Sequence, residues 1–359
     1  MDSVTQIGHA SIKKGSKSFA LASRVLPPEL RDDASMLYAW CRYCDDVIDG
    51  QEMGHGQIAD YKVGQSERLA QLRTQTEDAL AGKPVDNPVF AGLARVVTTH
   101  DIDHKHPFDL LKGFEMDAEE RVYNSVDDIL DYSYHVAGVV GVMMANIMGV
   151  RDEETLDRAS DLGLAFQLTN IARDVIDDAE ADRVFVPRDL LIKHGAPIDA
   201  ARLAKQENWP AAHKAASEQL DIAEQYYESA KVGIKELPFR CAWAISAALA
   251  VYREIGERLR EGGPEAWEGR VSASKGRKMA LALGAVGPAM GRKSIAVTSR
   301  DEFYERPKLS LSQRERGDRE AVGEGLDATE ALINGLNHSI HILINIIIRE
   351  PNDMITAHF

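Results

Sequence analysis

Apolar side chains recur every three to four residues through segments 65–82, 153–180, 211–235 and 238–262, with few β-branched runs and almost no alternating pattern. That is the period of a helix with one buried face; a strand would alternate every second residue. The interruptions fall where helices would stop: Pro27-Pro28, Gly50, Gly82 to Pro84, Pro107, Gly149, Pro187, Gly195 to Pro197, Pro210, Pro238 and Gly262 to Pro264. Punctuation at that spacing predicts about ten helices of ordinary length. The expected fold class is all-α.

No Pro/Gly/Ser-rich linker interrupts the 359-residue chain before position 290, so residues 1–290 read as a single all-helical domain and 291–359 as a polar, flexible tail. The tail begins with a charged, aperiodic stretch, Arg292 to Glu324, expected to be loosely ordered. It also contains an apolar run, Ile340 to Ile348, shorter than the roughly 20 residues a membrane span needs. That run reads equally as a docked terminal element, a membrane-surface anchor or sequence foreign to the rest.

Hydrophobic content of 44% supplies a sizeable core, while a net charge of −15 without a basic stripe argues against nucleic acid as a partner. Acids gathered around a divalent cation can still bind phosphate, because the ion inverts the local sign. Three cysteines make no disulfide framework, and no charged-then-apolar leader opens the chain, so a cytoplasmic setting is expected. Cys41-x-x-Cys44 has zinc-knuckle spacing but no second Cys/His pair, and reads as two cysteines on a helix surface.

Two clusters of oxygen donors stand out. In Leu37 to Asp49, Asp45 and Asp49 are one helical turn apart with Asp46 beside them. Like charges at that spacing destabilise a helix, but carboxylates on one face suit Mg²⁺, which takes one or two of them and leaves positions for water and phosphate. In Gly163 to Asp178, Asn170, Asp174 and Asp178 are spaced i, i+4, i+8, with Gln167 one turn earlier and Leu164, Leu168, Ile171 and Val175 alongside. Either cluster alone would pass for a solvated acidic face. Two in one helical chain, each beside an arginine (Arg42, Arg173), point to a metal-diphosphate site.

These residues resemble the squalene/phytoene synthase family over about residues 8–285. The likeness rests on Gly15-Ser16-Lys17-Ser18-Phe19, on Leu37 to Asp49, on Tyr132 to Gly141, and on Gln167 to Asp178 followed by Arg183-Val184-Phe185-Val186-Pro187. The phytoene branch is nearest in wording. The resemblance implies an isoprenoid synthase-type helical bundle around a central pocket, with both clusters at its mouth. It further implies prenyltransferase chemistry: Mg²⁺-dependent, or Mn²⁺-dependent, head-to-head condensation of two geranylgeranyl diphosphates through prephytoene diphosphate to phytoene, with no NADPH.

On that resemblance Asp45, Asp46, Asp49, Asn170, Asp174 and Asp178 are metal ligands. Lys17, Arg42, Arg173 and Lys275 hold diphosphate, Ser16 and Ser18 add donors, and Gln167 and Phe19 line the substrate. Tyr38, Tyr134, Phe19, Phe166 and Tyr252 are candidates to face a carbocation with their ring quadrupoles. His135 reads as a pocket-wall or helix-surface side chain and His9 as solvated. Lipid-like substrate and product imply peripheral contact with a membrane surface and with other carotenoid enzymes. The rival readings are squalene or dehydrosqualene synthesis from farnesyl diphosphate, chain elongation or cyclisation, and a non-catalytic helical partner.

Overall fold

Pro27 and Pro28 start helix α1 (Pro28–Asp49), where a missing N–H costs nothing, and Gly50 ends it in the left-handed conformation, φ 62°. The Gly50 and Gln51 N–H groups both return to the Asp46 carbonyl, so Asp49 is held as the last helical residue. A computed structural model describes residues 4–8, 26–51, 62–269 and 271–308, and within them the structure is built from helices alone. His9, Ser16, Lys17, Ser18, Phe19 and Ile340 to Ile348 lie outside the described residues.

After α1 come α2 (Gln65–Leu80), α3 (Pro88–Thr99), α4 (Lys105–Ala118) and α5 (Val126–Ser133). A π-helical turn, Tyr134–Gly138, leads into α6 (Val139–Ile147). Then follow α7 (Glu153–Arg173), α8 (Val175–Glu180), α9 (Arg188–Lys193), α10 (Ala200–Leu203), α11 (Trp209–Ile234), α12 (Phe239–Gly262), α13 (Lys275–Gly284) and α14 (Val286–Gly291). Local chemistry fixes the key starts: Ser125 and Asp128 form a reciprocal capping box on α5, and Asp152 accepts from the Thr155 N–H at α7.

Helix α7 is the axis of the bundle, packed against α5, the π turn, α6, α11 and α12, and nearly all of it from Thr155 to Arg173 is buried. Close approach explains the small residues of 137–141. A Cβ on Gly163 would fall 2.5 Å from the Ala137 carbonyl oxygen, and one on Gly141 would fall 2.4 Å from that of Ala159. Only glycine lets α7 and the π-turn segment touch backbone to backbone. Helices α1 and α7 both pack on α6.

Three expectations need correction. Cys41 and Cys44 are buried, not on a helix surface, and burial pushes both thiols well above their ordinary range. The helix expected across 153–180 breaks at Asp174 (φ −100°, ψ 13°), which ends α7 and precedes α8. And the charged stretch after Arg292 is not loose over its described part. Residues 295–308 form a strap whose cations reach α7: Arg300 forks onto Asp161 at 2.7 and 2.8 Å, Arg306 meets Asp157 at 2.7 Å and pairs with Glu153, and Lys308 meets Asp157 at 2.9 Å. The packed body therefore runs past residue 291. Aperiodic charge read as solvated because its partners lie about 140 residues earlier in the chain.

Candidate active site

The first cluster sits on the last turn of α1, where unsatisfied carbonyls already make the local potential negative. Placing Asp45, Asp46 and Asp49 there adds like charge to like, and the turn holds because cations meet it. Arg42 lies 3.2 Å from Asp45 and 3.1 Å from Asp46. Its own burial disfavours the charge, but those carboxylates outweigh it and raise the guanidinium's pKa. From α2, Arg68 donates to the Val47 carbonyl at 2.8 Å and the Ile48 carbonyl at 3.3 Å, and Gln65 to Ile48 at 3.4 Å. Neither Arg68 nor Gln65 is flagged by the sequence; a basic residue near a helix C-terminus is visible only once the fold brings it there.

Tyr38 is buried one turn before Arg42, and its hydroxyl is pushed up to about 12, by burial first, with Arg42 pulling down and Asp45 and Asp46 pushing up. The phenol therefore stays neutral.

The second cluster straddles the break between α7 and α8. The i to i−4 ladder survives it: the Asp174 N–H donates to the Asn170 carbonyl at 2.9 Å and the Asp178 N–H to the Asp174 carbonyl at 2.8 Å. Asn170 and Asp174 are buried, whereas Asp178 is half-buried. Arg173 forks onto Asp174, Nε to Oδ1 at 2.7 Å and Nη2 to Oδ2 at 2.5 Å, a bidentate pair at the tip of the helix. The Trp267 indole donates to the Ala172 carbonyl at 3.3 Å, satisfying another terminal acceptor; the sequence reading passed over this residue.

A cleft of about 330 Å³ is lined by residues that hydrogen-bond to the ends of both acidic segments, though by none of the six candidate ligands themselves. Its wall includes Gln65, which caps the end of α1, and Arg183, whose N–H donates to the Asp178 carbonyl at the end of α8. Lys62, Arg121 and Arg188 share the wall with Asp117 and Glu120. A separate apolar cavity of about 40 Å³ lies between α6, α7, α11 and α12, lined by Gly141, Met144, Leu162, Gly163, Ile234 and Ile245.

The remaining candidates separate. Phe166 and Tyr252 are fully buried with ring centroids 4.2 Å apart, an aromatic wall beside Gln167. Tyr134 is buried in the π turn and tied elsewhere: its hydroxyl donates to Asp109 at 2.6 Å, Lys105 pairs with the same carboxylate and lies 5.7 Å from the ring centre, and burial plus Asp109 drive its pKa far up. His135 is buried, its Nδ1–H donates to the Asp131 carbonyl at 2.8 Å, and burial lowers its pKa, so it is no surface histidine. Lys275 is exposed at the start of α13, while its neighbour Arg277 pairs with Glu254.

Among the described residues no three His, Cys, Asp or Glu side chains converge into a closed metal site. The donor set nonetheless fits a hard divalent cation: five carboxylates and one amide are all oxygen ligands, and an ion that keeps several waters needs only one or two from each helix.

The sequence model of the squalene/phytoene synthase family matches residues 12–277. A 15-cis-phytoene synthase from Paracoccus sp. (strain N81106 / MBIC 01143) is 50% identical over 83% of this chain and 96% of its own. A phytoene synthase from Pseudescherichia vulneris is 46% identical over 86% and 98%. Among solved structures, a dehydrosqualene synthase in complex with ligand superposes with a TM-score of 0.68 at 27% identity, covering 79% of this chain and 95% of that one. A squalene synthase from Alicyclobacillus acidocaldarius shares the fold at a TM-score of 0.60 and 21% identity, covering 72% and 92%. With the family match spanning most of the chain and both oxygen clusters inside it, the protein belongs to the squalene/phytoene synthase family.

Proposed function

We propose that this protein is a prenyltransferase that joins two geranylgeranyl diphosphates head to head, through prephytoene diphosphate, to give phytoene and diphosphate, the first committed step of carotenoid biosynthesis. The observation that carries this reading is the 45–50% identity to phytoene synthases over 83–86% of the chain, with all six oxygen ligands in place.

Asp45, Asp46 and Asp49 from α1 and Asn170, Asp174 and Asp178 from the α7–α8 break would hold Mg²⁺, or Mn²⁺, with the diphosphate. The ion supplies positive charge to the departing diphosphate. The protein's own cations do the same from Arg42 and Arg173, each of which already touches a ligand carboxylate, with Lys17 as a further phosphate contact. Ser16, Ser18 and Phe19 would complete the substrate contacts on that side. Tyr38, Phe166 and Tyr252 contribute neutral ring faces that favour an allylic cation without trapping it. The packed walls of α6 and α7 exclude water, which would otherwise capture that cation. NADPH has no role in this reaction.

Among the described residues no helix is long and apolar enough to cross a membrane. A cytoplasmic protein resting on a membrane surface, near other carotenoid enzymes, is the setting this chemistry favours.

The test is incubation of the purified protein with geranylgeranyl diphosphate and Mg²⁺, without NADPH, followed by product identification. Phytoene is expected. A C30 hydrocarbon formed from farnesyl diphosphate in preference would replace the C20 reading with the dehydrosqualene one, which the 27% identical structural relative favours.

A further inference from the structure

Asp109, Gly113 and Asp117 are spaced i, i+4, i+8 along α4, so an acid, a gap and a second acid share one face of that helix. All three meet the short segment from Tyr132 to Val136. The Tyr134 hydroxyl donates to Asp109 at 2.6 Å, and the Tyr132 hydroxyl donates to Asp117 at 3.0 Å. Between them, a Cβ on Gly113 would fall 2.7 Å from Val136 Cγ1 and 3.1 Å from the His135 carbonyl carbon, so the two elements touch where only glycine leaves room. Residues two apart on a helix diverge by about 200°, and these two phenols reach acids about 12 Å apart along the α4 axis. The segment is thus held at both ends and in the middle.

The two ends of that face have different surroundings. Asp117 lines the cleft of about 330 Å³, and Tyr132 packs between Tyr123 and Phe185, ring centroids 5.1 and 5.4 Å away, which line it too. Asp109 is paired with Lys105 at the other end, and Tyr134 is enclosed there beside Tyr304 of the strap, ring centroids 5.9 Å apart. Neither Asp109 nor Tyr134 is among the residues that line the cleft. From Tyr134 the chain enters the π turn, where the Val139 N–H returns five residues to the Tyr134 carbonyl, a rare widening of the helix found mostly at functional positions. Beyond it Gly138 seats against α7, where a Cβ would fall 2.6 Å from Leu164 Cδ1. The Tyr134 hydroxyl therefore marks where the turn begins. Without that hold, Tyr132 on one side and Gly138 on the other lose a common reference.

We propose that Asp109 is a positioning residue for the condensation: by holding the Tyr134 hydroxyl it fixes the start of the π turn, and with it the Tyr132, Phe185 and Asp117 wall of the cleft. It acts at one remove, through Tyr134. Burial first, and then Asp109, keep that phenol protonated, so the contact is a fixed donor and acceptor and no proton relay. The proposal rests on the prenyltransferase reading of the site.

The experiment measures kcat, KM, product ratio and unfolding midpoint of the full chain, with whichever prenyl diphosphate the parent condenses. Tyr134→Phe removes one oxygen, and Asp109→Leu removes its acceptor. Both should lower kcat per folded molecule by about tenfold to a hundredfold, the scale of a misplaced reacting wall, with KM changed much less. Both should also release more of the cyclopropyl diphosphate intermediate relative to hydrocarbon. Asp109→Asn, which leaves the phenol an acceptor, should recover most of the loss. Arg300→Ala, which loosens the strap without touching Asp109, should lose stability and keep its kcat per folded molecule. The proposal is overturned if Tyr134→Phe keeps the parent's kcat and product ratio, or if Asp109→Asn is as slow as Asp109→Leu. It is overturned too if rate and folded fraction fall together in every variant, as a purely structural contact requires. Should Asp109→Leu fail to fold, Tyr134→Phe against Asp109→Asn decides. Failure of the geranylgeranyl reading shows in the parent's product, whereas failure of this one shows in the variants.

Discussion

Oxygen donors at i, i+4, i+8 occur twice along α7 and its continuation into α8, and the two stripes have opposite fates. Near its start, Glu153, Asp157 and Asp161 are met by Arg306, Lys308 and Arg300, which arrive from a strap at the far end of the packed chain. At its end, Asn170, Asp174 and Asp178 cross a helix break, and the cation on Asp174 is the adjacent Arg173. The first stripe is a bolt: three acids against three long-range cations, with the Asp161 side chain fully enclosed. The second is answered from within its own helix end. Periodicity alone does not distinguish a structural acid stripe from a functional one; the sequence distance of the answering charge does.

Substitution should split the two stripes along that line. The largest effect is expected from Asp174→Ala, which removes a carboxylate proposed as a metal ligand together with the bidentate partner of Arg173. Turnover should fall by about a thousandfold or more, the scale of lost charge stabilisation at a reacting diphosphate. Single-turnover product assays with circular dichroism check it. A variant that turns over normally would make the second stripe structural too and erase the contrast. The mirror change, Arg300→Ala, strands the enclosed Asp161 and should cost about 3–5 kcal/mol of stability. Product formation per folded molecule should persist. Denaturant titration beside the activity assay reads both numbers.

How far these stripes were legible follows from where their partners lie. Helical period and Pro/Gly punctuation are local, so the all-α class and the helix starts at Pro28 and just after Pro238 came through. The Asn170–Asp174–Asp178 stripe was visible because all its members share a few turns. The Glu153–Asp157–Asp161 stripe has the same spacing and went unremarked, since its meaning depends on Arg300 and Arg306. Tyr134 was drawn in by its motif, but its hydroxyl answers to Asp109 on α4, a contact between elements. The break at Asp174 is a backbone feature that no residue type there demands; the sequence around it is strongly helical.

Acid offers a third separation, because the strap end holds a buried histidine. His106 lines a cavity of about 150 Å³ with Lys105, Glu153, Arg306 and Lys308. Its pKa is lowered to about 4, by burial first and then by Arg306 and Lys105, against Asp103 and Asp109. An unfolded histidine takes its proton near pH 6.5. Between those values the unfolded chain binds the extra proton, so this contribution is complete above about pH 6.5 and is lost as pH falls towards 4. A few kcal/mol at most is at stake, on the order of 3. Thermal unfolding of the parent and of His106→Gln across that range should converge at low pH. Parallel curves would show that the strap end does not sense the proton.

The smallest effect is expected at the strap's exposed edge. Lys308 meets Asp157 at 2.9 Å, but its side chain is 43% exposed, and Arg306 already holds the same carboxylate. A solvated ammonium sharing an anion with a buried guanidinium adds less than about 1 kcal/mol, and salt screens most of that. Lys308→Ala should therefore leave the unfolding midpoint almost unchanged, and high salt should remove what difference remains. Arg306→Ala, at the same acid but enclosed, should cost several times more in the same titration. If the two changes were equal, the bolt would be a diffuse charge attraction, and enclosure would no longer be what separates the two ends of α7.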